Sequence, residues 1–453
     1  MRQELKGTFL ETRARRDAAA ATGDNARVEE EEHAVNGLQD PRGDEGGARS
    51  RHGGDEREGR WNGRAPGGGA ALAGPLGRRG PFGFGAGRIG LLALALVVAL
   101  VLFIVPMPYV VESPGPTFDV AGQYRGTALI EVSGTDPKTG GQIEAEAAHE
   151  AGTGAGELRM VTVSESGGPG RRLNLVQLIS AYFDSTAKII PYSQAYPDSA
   201  TKEQVDAAQS VLMRSSQSTA EAAALTHLGW EVPAKVTIRG ATAGSDAEGK
   251  VEDGDVLVSV TDAQGVEHPI DRAATVFDLV KATPVGSVLT VNTERDGEPM
   301  SAKITTVSGG EGARGSRLGV YLDVDVDLPL QIAFNLGEVG GPSAGMMFAL
   351  GIIDRLTPGD LMGGRSIAGT GTMSYDGEVG AIGGIVQKMN GAKRDGAAFF
   401  LAPASNCGEV VGNELPGLQV VAVSTLDEAV SAVKTIAAGD GESLPTCASA
   451  LGK

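Results

Sequence analysis

Between Gly337 and Leu350 the chain reads GEVGGPSAGMMFAL, a single serine set among small residues directly before an apolar run. Serine in that setting has two readings. It is a common helix N-cap. It also suits a nucleophile, because small neighbours leave the hydroxyl open to a substrate backbone. Pro342 fits a first helical position, which puts Ser343 in the first turn of a helix over about residues 343–355. Unpaired N–H groups there, such as those of Ser343, Ala344 and Gly345, are placed to stabilise an oxyanion. A serine hydroxyl is inert near neutral pH unless a base takes its proton. Histidine is the usual base, but His33, His52, His149, His227 and His268 all precede the last third of the chain. Lysine replaces it where a desolvated site keeps the amine neutral. The segment AIGGIVQKMNGAKRDGAAFF supplies Lys388, which on a helix shares a face with Gly384, Ile385, Gly391 and Ala392, while Lys393 and Arg394 take the polar side. Alone, Ser343 reads more often as a cap and Lys388 as a solvated lysine. Their pairing changes the balance.

Together, GGPSAG and GTGTMSYDGEVGAIGGIVQKMNGAKRDGA resemble the serine and lysine segments of Lon-type proteases in order, small-residue context and register. That resemblance implies a Ser–Lys dyad with Ser343 as nucleophile and Lys388 as general base. It also implies that Thr370, 18 residues before Lys388, orients the lysine amine. SVLMRSSQSTAEAAALTHL resembles the helix that precedes the serine strand in such domains, so the intervening residues form an insertion in a discontinuous protease domain. Where the family often carries an acidic residue three positions before the serine, this chain has Gly340, with Glu338 the nearest substitute. No G-x-x-x-x-G-K-[ST] phosphate loop occurs, so an ATP-driven module is not expected. Ring assembly as a homo-oligomer is implied by the resemblance alone.

The elements that must position these residues alternate. LRMVTVS at 158–164 reads as a strand, 174–183 as a short helix and 202–227 as a long helix buried through Val205, Val211, Leu212, Ala220, Ala223, Ala224 and Leu225. Residues 231–308 carry short β-like runs and one helix. In them GKVEDGDVLVSVTDAQG resembles the PDZ pattern, with a Gly254–Asp255 turn before a core strand, and GSVLTVNTERDGE resembles its last hairpin. That resemblance implies a domain taking an extended peptide at a sheet edge. The last third alternates helix and strand as mixed α/β. The expected organisation is a tail at 1–87, a transmembrane helix at 88–109 and a membrane-proximal linker at 110–153. An α/β Lon-type proteolytic domain then occupies 154–230 and 309–440 around a PDZ-like insert at 231–308, and 441–453 form a C-terminal tail.

Ile89 to Val105, IGLLALALVVALVLFIV, is free of charge and near the ~20 residues a bilayer span needs. Arg78, Arg79 and Arg88 precede it, whereas Glu112 and Asp119 follow, so the positive-inside rule puts the N-terminus in the cytoplasm and the bulk of the chain outside. The residues before the span are Gly-rich and charged, which predicts a disordered tail. A formal charge of −18 argues against a nucleic-acid partner. Cys407 and Cys447, outside any CxxC cluster, exclude a zinc-ribbon motif and are either one disulfide or two free thiols. No metal or cofactor is expected. Three functions compete: an endopeptidase acting on exposed or unfolded polypeptides, an inactive PDZ scaffold, and a self-processing protein that cuts only its own linker. Retention of Ser343, Lys388 and Thr370 together favours the enzyme.

Overall fold

The computed structural model describes residues 86–452, except 137–138, 144, 151–153, 198, 310–314, 329 and 338. The chain divides into two units, Met1–Leu92 and Ala93–Lys453. The tail expected at 1–87 and Glu338 lie outside the described residues, apart from the first two positions of a helix. The helices that matter here are α1 (Ala86–Ile104), α2 (Leu175–Phe183), α3 (Lys202–His227), α4 (Thr275–Ala282), α5 (Gly345–Leu356), α6 (Ile385–Arg394) and α7 (Leu426–Ala437). Among the described residues no helix is long and apolar enough to cross a membrane.

A six-stranded sheet organises the protease part, in the order Gln419–Val423, Phe399–Pro403, Ser366–Gly369, Glu157–Ser166, Tyr109–Asp119, Lys188–Pro191. The first four strands are parallel to one another and the last two pairings are antiparallel. Alternation along the strands builds two cores. Leu158, Met160, Ile367, Leu401, Val421 and Val423 face a cluster shared with α3, α5 and α7. Val161, Ala368, Phe400, Ala402, Val420 and Ala422 face a second cluster with Ile385, Met389 and Ala392 of α6. The sheet is thus covered on both faces. α5 is apolar nearly all round and buried from Gly345 to Arg355, as a helix between layers must be.

Three boundaries differ from the expectation. Residues 110–153 are not a free linker: Tyr109–Asp119 lies inside the sheet between Glu157–Ser166 and Lys188–Pro191, because its buried Val110 and Val111 fit a core strand. The insert does not stop at 308, since Val320–Val326 pairs with Ala234–Ala241 at the edge of its five-strand path. Its separate core includes Val236, Leu257, Val276, Leu289 and Ile304. Asp255, at 0% exposure, accepts two bonds from Arg295 and one from the Glu252 N–H, which explains the aspartate in the Gly254–Asp255 turn. Nor are residues 441–453 a loose tail. The Pro445 carbonyl accepts the Ala422 N–H, and Cys447 is bonded to Cys407.

Candidate active site

Backbone constraints bring Ser343 into place. Gly341 has φ +92°, its N–H donates to the Gln209 carbonyl at 3.3 Å, and any Cβ there would meet Gln209 Oε1 at 3.1 Å. At Gly340 a Cβ would fall 2.7 Å from Gln209 Cβ, so α3 excludes the acidic side chain that Lon-type domains often carry there. Two turns along the same face, buried Ser216 donates to the Pro342 carbonyl at 3.1 Å. α5 starts two residues later than expected, at Gly345, with Ala344 as its cap residue and no side-chain capping bond. Ser343 is therefore not the N-cap and stands just ahead of the helix. The Met346 N–H is taken by the Gly371 carbonyl at 3.1 Å, and the Phe348 N–H reaches back to the Ala344 carbonyl at 2.9 Å. Ala344 and Gly345 then present their N–H groups at the open end of the helix. Glycine is required at 345, where a Cβ would lie 2.9 Å from the Met373 backbone and 3.0 Å from Ser216 Oγ.

Lys388 sits one turn into α6, which starts at Gly384 in the left-handed region, φ 70°. A Cβ on Gly384 would strike Val163 at 2.8 Å, so the helix lies close on the strand Glu157–Ser166. Ile385, Met389 and Ala392 are fully buried beside it, and Lys388 itself is 3% exposed. Burial pushes its amine down to about 7, against an upward pull from the Glu112 carboxylate on Tyr109–Asp119. Lys393 and Arg394 are exposed, as the helical face predicts.

Thr370 joins the two. Its hydroxyl has one proton, which it donates to the Ser343 carbonyl at 2.9 Å. The oxygen is then left to accept from Lys388 Nζ at 3.2 Å. The Gly371 N–H also donates to the Ser343 carbonyl, at 2.9 Å. One N–H of the lysine amine is thereby fixed, and its lone pair must point elsewhere. The arrangement holds a buried amine, its basicity lowered by desolvation, at a set orientation near a serine whose backbone is clamped from both sides.

The histidines described here are engaged in other contacts: His149 with Asp354, His227 with Asp427, His268 with Asp262. Ligand atoms of His149, Asp354 and Asp360 lie within 4.8 Å of one another, a spacing that could hold a metal ion. Both Asp360 oxygens already accept backbone N–H bonds, from Gly156, Met362 and Gly364, and one Asp354 oxygen accepts from Leu361. Sequence reasoning missed Gln209, Ser216 and Glu112. Polar residues on a helix read as surface, yet the buried side of α3 includes Met213, Ser216, Thr219 and Ala222, whereas Val211, expected inside, is 55% exposed.

Residues 329–435 match the Lon protease (S16) C-terminal proteolytic domain. Similar proteins include Lon protease 2 of Bacillus subtilis (strain 168), 32% identical over 110 residues, which are 24% of this chain and 19% of that protein. The archaeal Lon protease of Methanocaldococcus jannaschii is 32% identical over 114 residues, 24% and 17% of the two chains. Lon protease 2 of Herpetosiphon aurantiacus is 40% identical over 91 residues, 19% and 11%. The chain thus spans less than a fifth of the length of these relatives. Among solved structures, the PDZ domain of an SdrC-like protein from Listeria monocytogenes covers 19% of this chain and 85% of that one, at 14% identity and a TM-score of 0.17. Its counterpart from Listeria innocua covers 19% and 92%, at the same identity and TM-score, values that carry no structural argument. The matched residues 329–435 contain Ser343, Thr370 and Lys388, and their likeness to a Lon protease (S16) C-terminal proteolytic domain supports reading this part of the chain as a serine peptidase domain.

Proposed function

We propose that the chain is a membrane-anchored, ATP-independent endopeptidase that cuts exposed or unfolded extracytoplasmic polypeptides with a Ser343–Lys388 dyad. The observation that carries the chemistry is the Lys388 amine, buried so that its basicity falls and bonded to the hydroxyl that grips Ser343. In this reading neutral Lys388 takes the proton as Ser343 Oγ attacks the peptide carbonyl. The tetrahedral oxyanion is held by the N–H groups of Ala344 and Gly345. The lysine then protonates the leaving amine, and water releases the acyl-enzyme by the reverse proton route. Thr370 keeps the amine oriented throughout.

The insert from residue 234 to 326 is proposed as a PDZ-like peptide-binding domain. Support comes from its own antiparallel sheet, single helix α4 and separate core. Anchoring rests on the apolar stretch 89–105. α1 rises about 28 Å over its 19 residues, just under the ~30 Å of a bilayer core, and Val105 continues the apolar run. Leu94, Leu96, Val97, Leu100, Phe103 and Ile104 are each at least 55% exposed, an apolar surface that water would leave costly.

The test is cleavage of an unfolded protein by the full-length chain in detergent, without ATP, beside Ser343→Ala and Lys388→Ala. Loss of cleavage in both variants is expected. Cleavage that survives both would remove the dyad, and a parent needing ATP would remove that part of the proposal.

A further inference from the structure

α2 has no function in the reading above, and it is unusual. All of its residues except Gln177 and Ser180 are apolar, and none is buried. Val176, Ile179 and Phe183 stand at i, i+3 and i+7 on one face with Tyr182 beside them, at 37%, 46%, 81% and 76% exposure. The neighbouring side is tucked in: Leu175, Leu178 and Ala181 are half-buried. An Asn174–Gln177 capping box fixes the N-terminal end of the helix. Nine residues seldom hold a helix in water without a covering surface.

The position of α2 identifies that surface. Leu173, immediately ahead of the capping box, accepts the Met107 N–H at 2.7 Å, and Met107 comes three residues after the end of α1. On the far side of α2, the Tyr192 N–H donates to the Pro108 carbonyl at 2.9 Å. The segment from Leu173 to Tyr192 is therefore tied at both ends to the chain as it leaves α1, where Phe103, Ile104 and Val105 are exposed. Arg171 and Arg172 precede α2 and Lys188 follows it, all exposed, in a chain whose net charge is −18. Asp184 opposes them in sign, and its carboxylate accepts from Thr186. An apolar face tipped with aromatic rings and flanked by basic residues matches the interfacial zone of a lipid bilayer with anionic headgroups.

We propose that the Val176–Ile179–Tyr182–Phe183 face of α2 lies in the interfacial layer of a lipid bilayer, a second contact beside α1 that holds the peptidase sheet against the membrane. This rests on the reading of α1 as an anchor. The strand Tyr109–Asp119 continues from that contact to Glu112 beside Lys388, so the orientation of the sheet would set the direction from which a substrate reaches Ser343.

The test uses the full chain reconstituted into vesicles of 30% phosphatidylglycerol and 70% phosphatidylcholine (an arbitrary composition of about that ratio, chosen to supply anionic headgroups). The native cysteines are bonded to each other, so a single added cysteine accepts an environment-sensitive dye cleanly. Tyr182→Cys reports on α2, Leu94→Cys on α1 and Tyr321→Cys on the insert. Quenching by lipids spin-labelled near the headgroup is expected to be at least about twofold stronger at 182 than at 321. Replacing Val176, Ile179 and Phe183 by serine should abolish the difference. Quenching at 94 by lipids spin-labelled near the acyl-chain ends, without headgroup quenching at 182, overturns the proposal and leaves the anchor standing; quenching at neither overturns both. A blue shift at 182 that grows with protein concentration and is insensitive to spin-labelled lipid means that a second copy covers the face, which also overturns it.

Discussion

Lys388→Met should abolish cleavage and at the same time stabilise the fold. A free lysine titrates at 10.5, whereas burial holds Lys388 at about 7. At about 1.4 kcal/mol per pH unit, that gap corresponds to roughly 5 kcal/mol of stability withheld from the folded state at low pH and about 4 kcal/mol at pH 7. Between pH 7 and 10.5 the unfolded chain binds more protons than the folded one, so stability rises with pH through that window and is lowest below it. Methionine fills similar volume without a charge. It forfeits the bond to Thr370, worth about 1 kcal/mol. The variant should therefore exceed the parent by about 2–3 kcal/mol at pH 7, and the difference should vanish near pH 10. Urea unfolding at the two pH values, followed through Trp230 where it packs on the main core, measures it. A variant no more stable than the parent at pH 7, or one with the same advantage at both pH values, would mean that Lys388 is not held neutral by burial.

Four further outcomes follow from the same geometry. Glu112→Gln removes the charge that pulls Lys388 upward, so the acid limb of kcat/KM should move to lower pH; an unchanged or upward-shifted limb in the pH–rate profile would contradict this. Thr370→Val frees the amine and should lower kcat toward 100-fold with little change in KM, while Thr370→Ser restores most of it; equal loss in both variants would mean the hydroxyl is not what matters. Opening the Cys407–Cys447 bridge with Cys447→Ser relieves a 40-residue constraint and should cost up to about 4 kcal/mol in urea, with no loss in non-reducing buffer pointing to a bridge that does not form. Phe277→Ala unstacks Tyr375, 5.6 Å away on the turn that follows Thr370, and should reduce kcat on a short peptide; full activity would show that α4 does not support that turn.

Local pattern decided how much of this was readable. The positions of α2 and α3, expected at 174–183 and 202–227, follow from periodicity, and the structure adds their ends, Asn174 and Thr201 as capping residues. Ser343, Thr370 and Lys388 could be singled out as candidates because all three lie within one run of motif-bearing chain, and the structure links them through the Thr370 hydroxyl. Burial of Lys388 was legible too, since Ile385, Gly391 and Ala392 mark the face it shares. What surrounds Ser343 was not. Gln209 and Ser216 approach from α3, more than a hundred residues upstream, and Glu112 from a strand that its prolines had made look like a linker. A bulge between Pro114 and Thr117 is how that strand accommodates them. Sequence spacing carries no information on pairings of that range.

The insertion explains how such a site survives being split. Residues 234–326 separate α3 from the strand that leads to Ser343, yet Ala234 pairs with Val326, and the Asp327 N–H donates to the Pro233 carbonyl at 2.9 Å. Entry and exit are neighbours, so the insert leaves through the gap it entered and need not disturb α3 against Gly340 and Gly341. Closing a longer loop adds an entropic cost that grows only with the logarithm of its length. The insert is not merely tolerated at a distance. Lys281 of α4 pairs with Asp376 and Glu378, in the turn joining Thr372–Met373 to Val379–Gly380. That turn follows directly on Thr370 and Gly371, the two residues that hold the Ser343 carbonyl. A domain grafted on one side of the serine thus reaches, through Lys281, the turn next to the two residues that hold the Ser343 carbonyl on its other side.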